Sequence, residues 1–124
     1  MGLVREKLLV RGDKGEKLLD VLFDTGASRS LIRSDVAREI STPKELLAPR
    51  WLTVADGRKL ACRHLCDLAV EIAGKRVGIE AFLVDDLPVP KVFGALDMEA
   101  YRIKLDPARR RLDLSEFTGQ MLAL

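Results

Sequence analysis

Short apolar runs separated by turn residues make up most of the chain, with no long helical period. Leu3-Val4 and Leu8-Leu9-Val10 precede Gly12-Asp13-Lys14-Gly15, which predicts two strands joined by a hairpin loop. A β-rich run from Leu18 to Phe23 stops abruptly at Asp24-Thr25-Gly26, and Ser30-Leu31-Ile32 predicts another short strand. Ser34 is placed to cap a brief helix through Ile40, closed by Pro43. Trp51-Leu52-Thr53-Val54 and Arg58-Lys59-Leu60 flank Ala55-Asp56-Gly57. An Asp-Gly pair accepts the positive φ angles of a tight turn, so this segment predicts a strand-turn-strand arm. Leu68 to Ile72 alternates, turns at Gly74 and returns as Val77 to Val84. Beyond Pro88-Val89-Pro90 come Val92-Phe93-Gly94 and a helical segment around Leu96 to Tyr101. A last hairpin joins Ile103-Lys104-Leu105 to Leu112-Asp113-Leu114 about Asp106-Pro107. Many short strands with closely spaced turns predict an all-β barrel or sandwich with one or two short helices.

The length of 124 residues fits one domain spanning 1–124, and 48% hydrophobic residues exclude a disordered chain. Twenty-one basic against nineteen acidic side chains give no electrostatic case for nucleic acid or an anionic membrane. Cys62 and Cys66 make no disulfide framework and read as reduced thiols. No leader or membrane-length apolar run is visible, so a soluble, cytoplasmic protein is expected.

Asp24-Thr25-Gly26 carries the chemistry. As a bare tripeptide it is only a strand-end turn, since Asp and Gly form turns. Its surroundings say more: two hydrophobic residues precede Asp24, small residues follow Gly26, and an apolar strand resumes at Leu31. In this setting Leu22-Phe23-Asp24-Thr25-Gly26-Ala27-Ser28 resembles the catalytic strand and turn of the retropepsin-like aspartic proteases. Trp51 to Leu60 looks like their flap, and Val92-Phe93-Gly94 like the element that threads behind the catalytic loop. Phe93 to Glu99 with Leu105-Asp106-Pro107 is similar to small prokaryotic members, and the resemblance is strongest over residues 16–114.

The resemblance implies a single retropepsin-like lobe with a flap hairpin, acting as an aspartic endopeptidase without cofactor or metal. Such hydrolysis needs a base to activate water and an acid to protonate the departing amide. Two adjacent carboxyl groups that share one proton supply both roles. The resemblance makes Asp24 the carboxylate, lets Thr25 lock its loop to a symmetry-related loop, and lets backbone approach closely at Gly26. Asp13, Asp56 and Asp97 do not stand in a comparable setting, so one chain offers half a dyad. A two-fold homodimer would complete it. The implied substrate contacts are Ala27, Ser28 and Arg29 beside the carboxylate, and Ala55, Asp56 and Gly57 on the flap. Retroviral members often carry acids where this chain has Ser28 and Arg29. Ser28 is therefore expected to hydrogen-bond near the carboxylate, and Arg29 to favour acidic substrate residues.

A peptide-binding or adaptor module that keeps the fold without cleaving is the alternative. Cys62, His64 and Cys66 would share one side of an extended strand, but no fourth zinc ligand stands at a familiar spacing. Trp51 is expected to fill core between barrel and flap rather than line the cleft. Arg109-Arg110-Arg111 reads as a solvated edge. The apolar tail of Phe117, Met121, Leu122 and Leu124 would pack on its own domain or join a dimer interface.

Overall fold

A computed structural model describes residues 2–53 and 57–120. Its elements are β1 (Leu3–Arg11), β2 (Glu16–Asp24), β3 (Leu31–Arg33), α1 (Ser34–Ile40), β4 (Lys44–Thr53), β5 (Lys59–Ile72), β6 (Lys75–Val84), β7 (Lys91–Gly94), α2 (Ala95–Tyr101), β8 (Lys104–Asp106) and β9 (Arg111–Asp113). A 3₁₀ turn, Pro107–Arg109, joins the last two strands. The main sheet runs β1-β2-β7-β3-β6-β5-β4, and β1 also pairs with β5. That extra pairing, Val10 with Val70 and Arg11 with Ala69, closes six strands into a barrel and leaves β4 outside. Closure removes the sheet edges that β1 and β5 would otherwise expose.

The expected hairpins form with registers set by side-chain parity. In β2, Leu19, Val21 and Phe23 face the main core, as do Leu68, Val70 and Ile72 of β5. Phe23 pairs with Phe93 on the parallel neighbour β7, and the rings stack with centroids 4.8 Å apart. That contact ties the end of β2 to the strand behind it. A second, smaller cluster gathers Ala27, Leu31, Cys62, Phe82, Leu87, Val89 and Val92.

Three local expectations change. Arg33 is the N-cap of α1, and the Ser34 hydroxyl instead donates to Asp85 Oδ1 at 2.6 Å. β4 begins at Lys44, well before Trp51, and its pairing with β5 is irregular between Glu45 and Arg50. Pro49 lies in that stretch and has no N–H to give a ladder. Trp51 is not core: it stands 68% exposed on β4. β4 pairs with β5 alone, and its Leu46 and Leu52 reach the smaller cluster. No helix among the described residues is long and apolar enough to cross a membrane.

Candidate active site

The Asp24 loop is set by the two strands that flank β2. β1 pairs antiparallel with it down to Leu3 opposite Asp24, and β7 pairs parallel with it up to Asp24 beside Gly94. The chain then turns on its own side chain: the Gly26 N–H donates to Asp24 Oδ1 at 2.8 Å, and the Ala27 N–H donates to the Asp24 carbonyl at 3.2 Å. Asp forms such turns readily because its carboxylate reaches the amide two residues on.

The far side of the loop is held by the start of α2. The Ala95 N–H donates to the Ala27 carbonyl at 2.7 Å, and the Leu96 N–H to the Ser28 carbonyl at 3.1 Å. The buried Ser30 hydroxyl donates to Asp97 Oδ2 at 2.5 Å and accepts from the Gly94 N–H at 3.0 Å. Gly94 leaves no room for a side chain there, since a Cβ would stand 2.4 Å from the carbonyl carbon of Arg29. The loop from Asp24 to Ser30 is thus pinned at both ends and along its back.

Asp24 opens onto a cleft of about 700 Å³. Leu22 and Asp24, two apart on β2, share the face turned away from the main core. Leu22 pairs with Val92, which pairs with Leu31, so three apolar side chains on adjacent strands floor the cleft. Leu87 and Val89 from the β6–β7 connection wall one side, and Leu60 and Cys62 of β5 another. The charged and polar lining includes Arg38 of α1, Arg63 and His64 of β5, and Asp85 and Asp86 after β6.

Of the catalytic and substrate-contact residues expected from the sequence, Asp24 and Ala27 line this cleft, as do Cys62 and His64 of the alternating stretch. Thr25 is exposed, and it bonds within the chain to Gly2: its hydroxyl accepts from the Gly2 N–H at 2.9 Å, and its own N–H donates to the Gly2 carbonyl at 3.2 Å. Gly26 and Ser28 are exposed on the loop. Arg29 does not reach the cleft; it lines a separate groove with Arg50, Leu96 and Asp97. Gly57 has the positive φ, +86°, expected of the arm's turn, whereas Ala55 and Asp56 lie outside the described residues. The tail residues Met121, Leu122 and Leu124 lie outside them too, while Phe117 packs on the main core of its own domain.

Of the other aspartates that the sequence offered, Asp56 lies outside the described residues, and Asp13 and Asp97 have different tasks. The Thr42 side chain, together with its N–H, which donates to Asp13 at 2.7 Å, holds the Asp13 carboxyl below the usual range, and Asp97 is engaged by Ser30. Cys62 and Cys66 are both buried, in the cleft-floor cluster and the main core respectively, and burial pushes both thiols up. Sequence reasoning missed Leu22, Leu31 and Val92 as cleft floor, and the charged lining. Parity with Asp24 would have found Leu22; the others depend on which strands become neighbours.

A family model described as aspartyl protease matches residues 10–100. No curated protein sequence matches the chain. Among solved structures, the retroviral protease-like domain of Ddi1 from Leishmania major superposes with a TM-score of 0.61 at 15% identity, covering 99% of this chain and 96% of that one. The EIAV protease, solved with the inhibitor HBY-793, gives 0.61 at 16% identity over 82% and 90%. A protein of unknown function from Legionella pneumophila gives 0.54 at 15% over 85% and 91%. With the family model covering most of its length, this chain belongs to the aspartyl protease family and has a retropepsin-like, single-lobe all-β fold.

Proposed function

We propose that the protein is an aspartic endopeptidase active as a homodimer, in which Asp24 from each chain forms the carboxylate pair. The observation that carries this reading is the placement of Asp24: at a strand end, fixed by the Gly26 N–H, at the edge of an apolar cleft. Beside a symmetry-related Asp24, two like charges a few ångströms apart would share one proton. The ionised member would take a proton from the attacking water, and the protonated member would donate to the departing amide nitrogen. Among the large apolar side chains exposed on the described residues, Leu3 at 50% and Leu96 at 47% flank this loop. A two-fold contact through the loop would cover both, because an isologous interface sets a patch against itself.

An extended peptide would lie over Leu22, Leu31 and Val92 and pair with the β4–β5 arm as an added strand. Arg38, Arg63 and His64 stand where substrate side chains would pass, so selection by charge falls to them rather than to Arg29. A peptide library screened with the wild-type protein and Asp24→Asn at matched dimer concentration tests the reading. Cleavage that disappears in Asp24→Asn supports it. Cleavage that survives the substitution refutes the catalytic role of Asp24.

A further inference from the structure

We infer that Gly2 and a second copy of this chain compete for Thr25, so that the protein holds a contact restraining its own dimerisation. The inference rests on the homodimer reading above. In the single chain, Gly2 engages every polar group that Thr25 offers ahead of its carbonyl. The Gly2 N–H donates to the Thr25 hydroxyl at 2.9 Å, the Thr25 N–H donates to the Gly2 carbonyl at 3.2 Å, and the hydroxyl proton has that same carbonyl as acceptor at 3.3 Å. Gly2 sits one step beyond the last pair of the β1–β2 ladder, Leu3 opposite Asp24. It therefore carries the ladder past the carboxylate and covers the edge of the loop.

A two-fold axis beside Asp24 would put Thr25, the next residue, opposite its own copy. The amide and the hydroxyl of Thr25 have one proton each, and both are directed at Gly2. The hydroxyl oxygen has a second lone pair to offer, but the protons have no second use. A bond donated from Thr25 to the partner chain must then replace one donated to Gly2. Thr25 is exposed, so this edge of the loop is open to a partner chain, while Gly2 rests beside Leu105 and Pro107, where an added Cβ would stand 3.2 Å from Leu105 Cδ1.

Sedimentation equilibrium over micromolar to millimolar concentration, on the full chain, on a chain lacking residues 1 and 2, and on Gly2→Ala and Thr25→Val, tests this competition. Removing residues 1 and 2 takes away the Gly2 carbonyl at which both Thr25 protons are directed, and should lower the dimer Kd about tenfold. Gly2→Ala keeps that carbonyl and should stay near wild type, and Thr25→Val should not tighten the dimer. A shortened-chain dimer no tighter than wild type overturns the competition and leaves the homodimer reading standing. Monomers in all four proteins overturn both. Should the shortening unsettle β1, amide exchange on the wild-type chain gives a second reading. The Thr25 N–H must already be protected in the dilute monomer, and free exchange there overturns the inference.

Discussion

Lys91 is a cation in the wrong place, and replacing it by methionine should stabilise the protein at neutral pH. It lies on β7, whose four residues are all buried, and its own relative exposure is 0%. Its ammonium donates to the Val92 carbonyl at 3.3 Å, its one hydrogen bond among the described residues, and stands 5.9 Å from the centre of the Phe93 ring. Burial pushes its pKa down from 10.5 to about 8, against the attraction of the Asp97 carboxylate and the Cys66 thiol nearby. At about 1.4 kcal/mol per pH unit, that gap puts the cost of keeping Lys91 charged in the folded state at about 3 kcal/mol. Methionine has a similar volume and no charge to desolvate, so most of that cost should be recovered.

The pH dependence gives the sharper test. Because the folded pKa lies below the unfolded one, both states carry the proton below about pH 8, and the penalty is fully present there. Between about pH 8 and 10.5 the unfolded chain binds the extra proton, so wild-type stability from this group rises with pH. Lys91→Met lacks that slope. Urea unfolding of both proteins at pH 7, 8.5 and 10, followed by far-ultraviolet circular dichroism on dilute monomer, measures the difference. Trp51 is too exposed to report reliably on the core by fluorescence. The variant should lead by about 2–3 kcal/mol at pH 7, and the lead should shrink steadily toward pH 10. Tyr101 also titrates in this range, is not coupled to Lys91, and cancels to first order; Cys66 is coupled to Lys91, so its own response belongs to the measured difference. A lead that does not change with pH, or a variant less stable at pH 7, refutes the reasoning.

Other substitutions test the frame around Asp24. Gly94→Ala would drive a Cβ to 2.4 Å from the Arg29 backbone, and should cost about 3 kcal/mol or more in chemical denaturation; a loss below about 1 kcal/mol would mean the loop yields easily. Tyr101→Phe removes the hydroxyl that donates to the Gly78 carbonyl at 2.5 Å and should cost about 1–2 kcal/mol in the same assay. Cys62 and Cys66 are buried with their thiols pushed up, so iodoacetamide at pH 8 should modify them only as fast as the chain opens. Mass spectrometry showing rapid labelling of the folded protein would contradict that.

The difference between what was legible in the sequence and what was not follows the range of the interactions. The hairpins and the Asp24 turn are local: alternation from Leu19 to Phe23, and an Asp that bonds the amide two residues on, need no information from elsewhere in the chain. The Gly57 turn is local in the same way. Trp51 and Lys91 are opposite failures of one kind. A tryptophan is usually buried and a lysine usually exposed, but each prior is overridden by the strand's place in the sheet. β4 has a partner on one side only and exposes its tryptophan, while β7 lies between β2 and β3 and buries its lysine. That order arises because the β7 segment inserts between two strands that follow one another in the sequence, a choice made by long-range pairing. The cleft obeys the same logic. Asp24 could be read from its own neighbours, whereas Val92 became its floor only when β7 fell between Leu22 and Leu31. Arg29, adjacent in sequence to the loop, left the cleft because the chain turns at Ser30, where Asp97 and Gly94 anchor it from the other side. Proximity in sequence thus located the carboxylate, and only the strand order could say which side chains share its cleft.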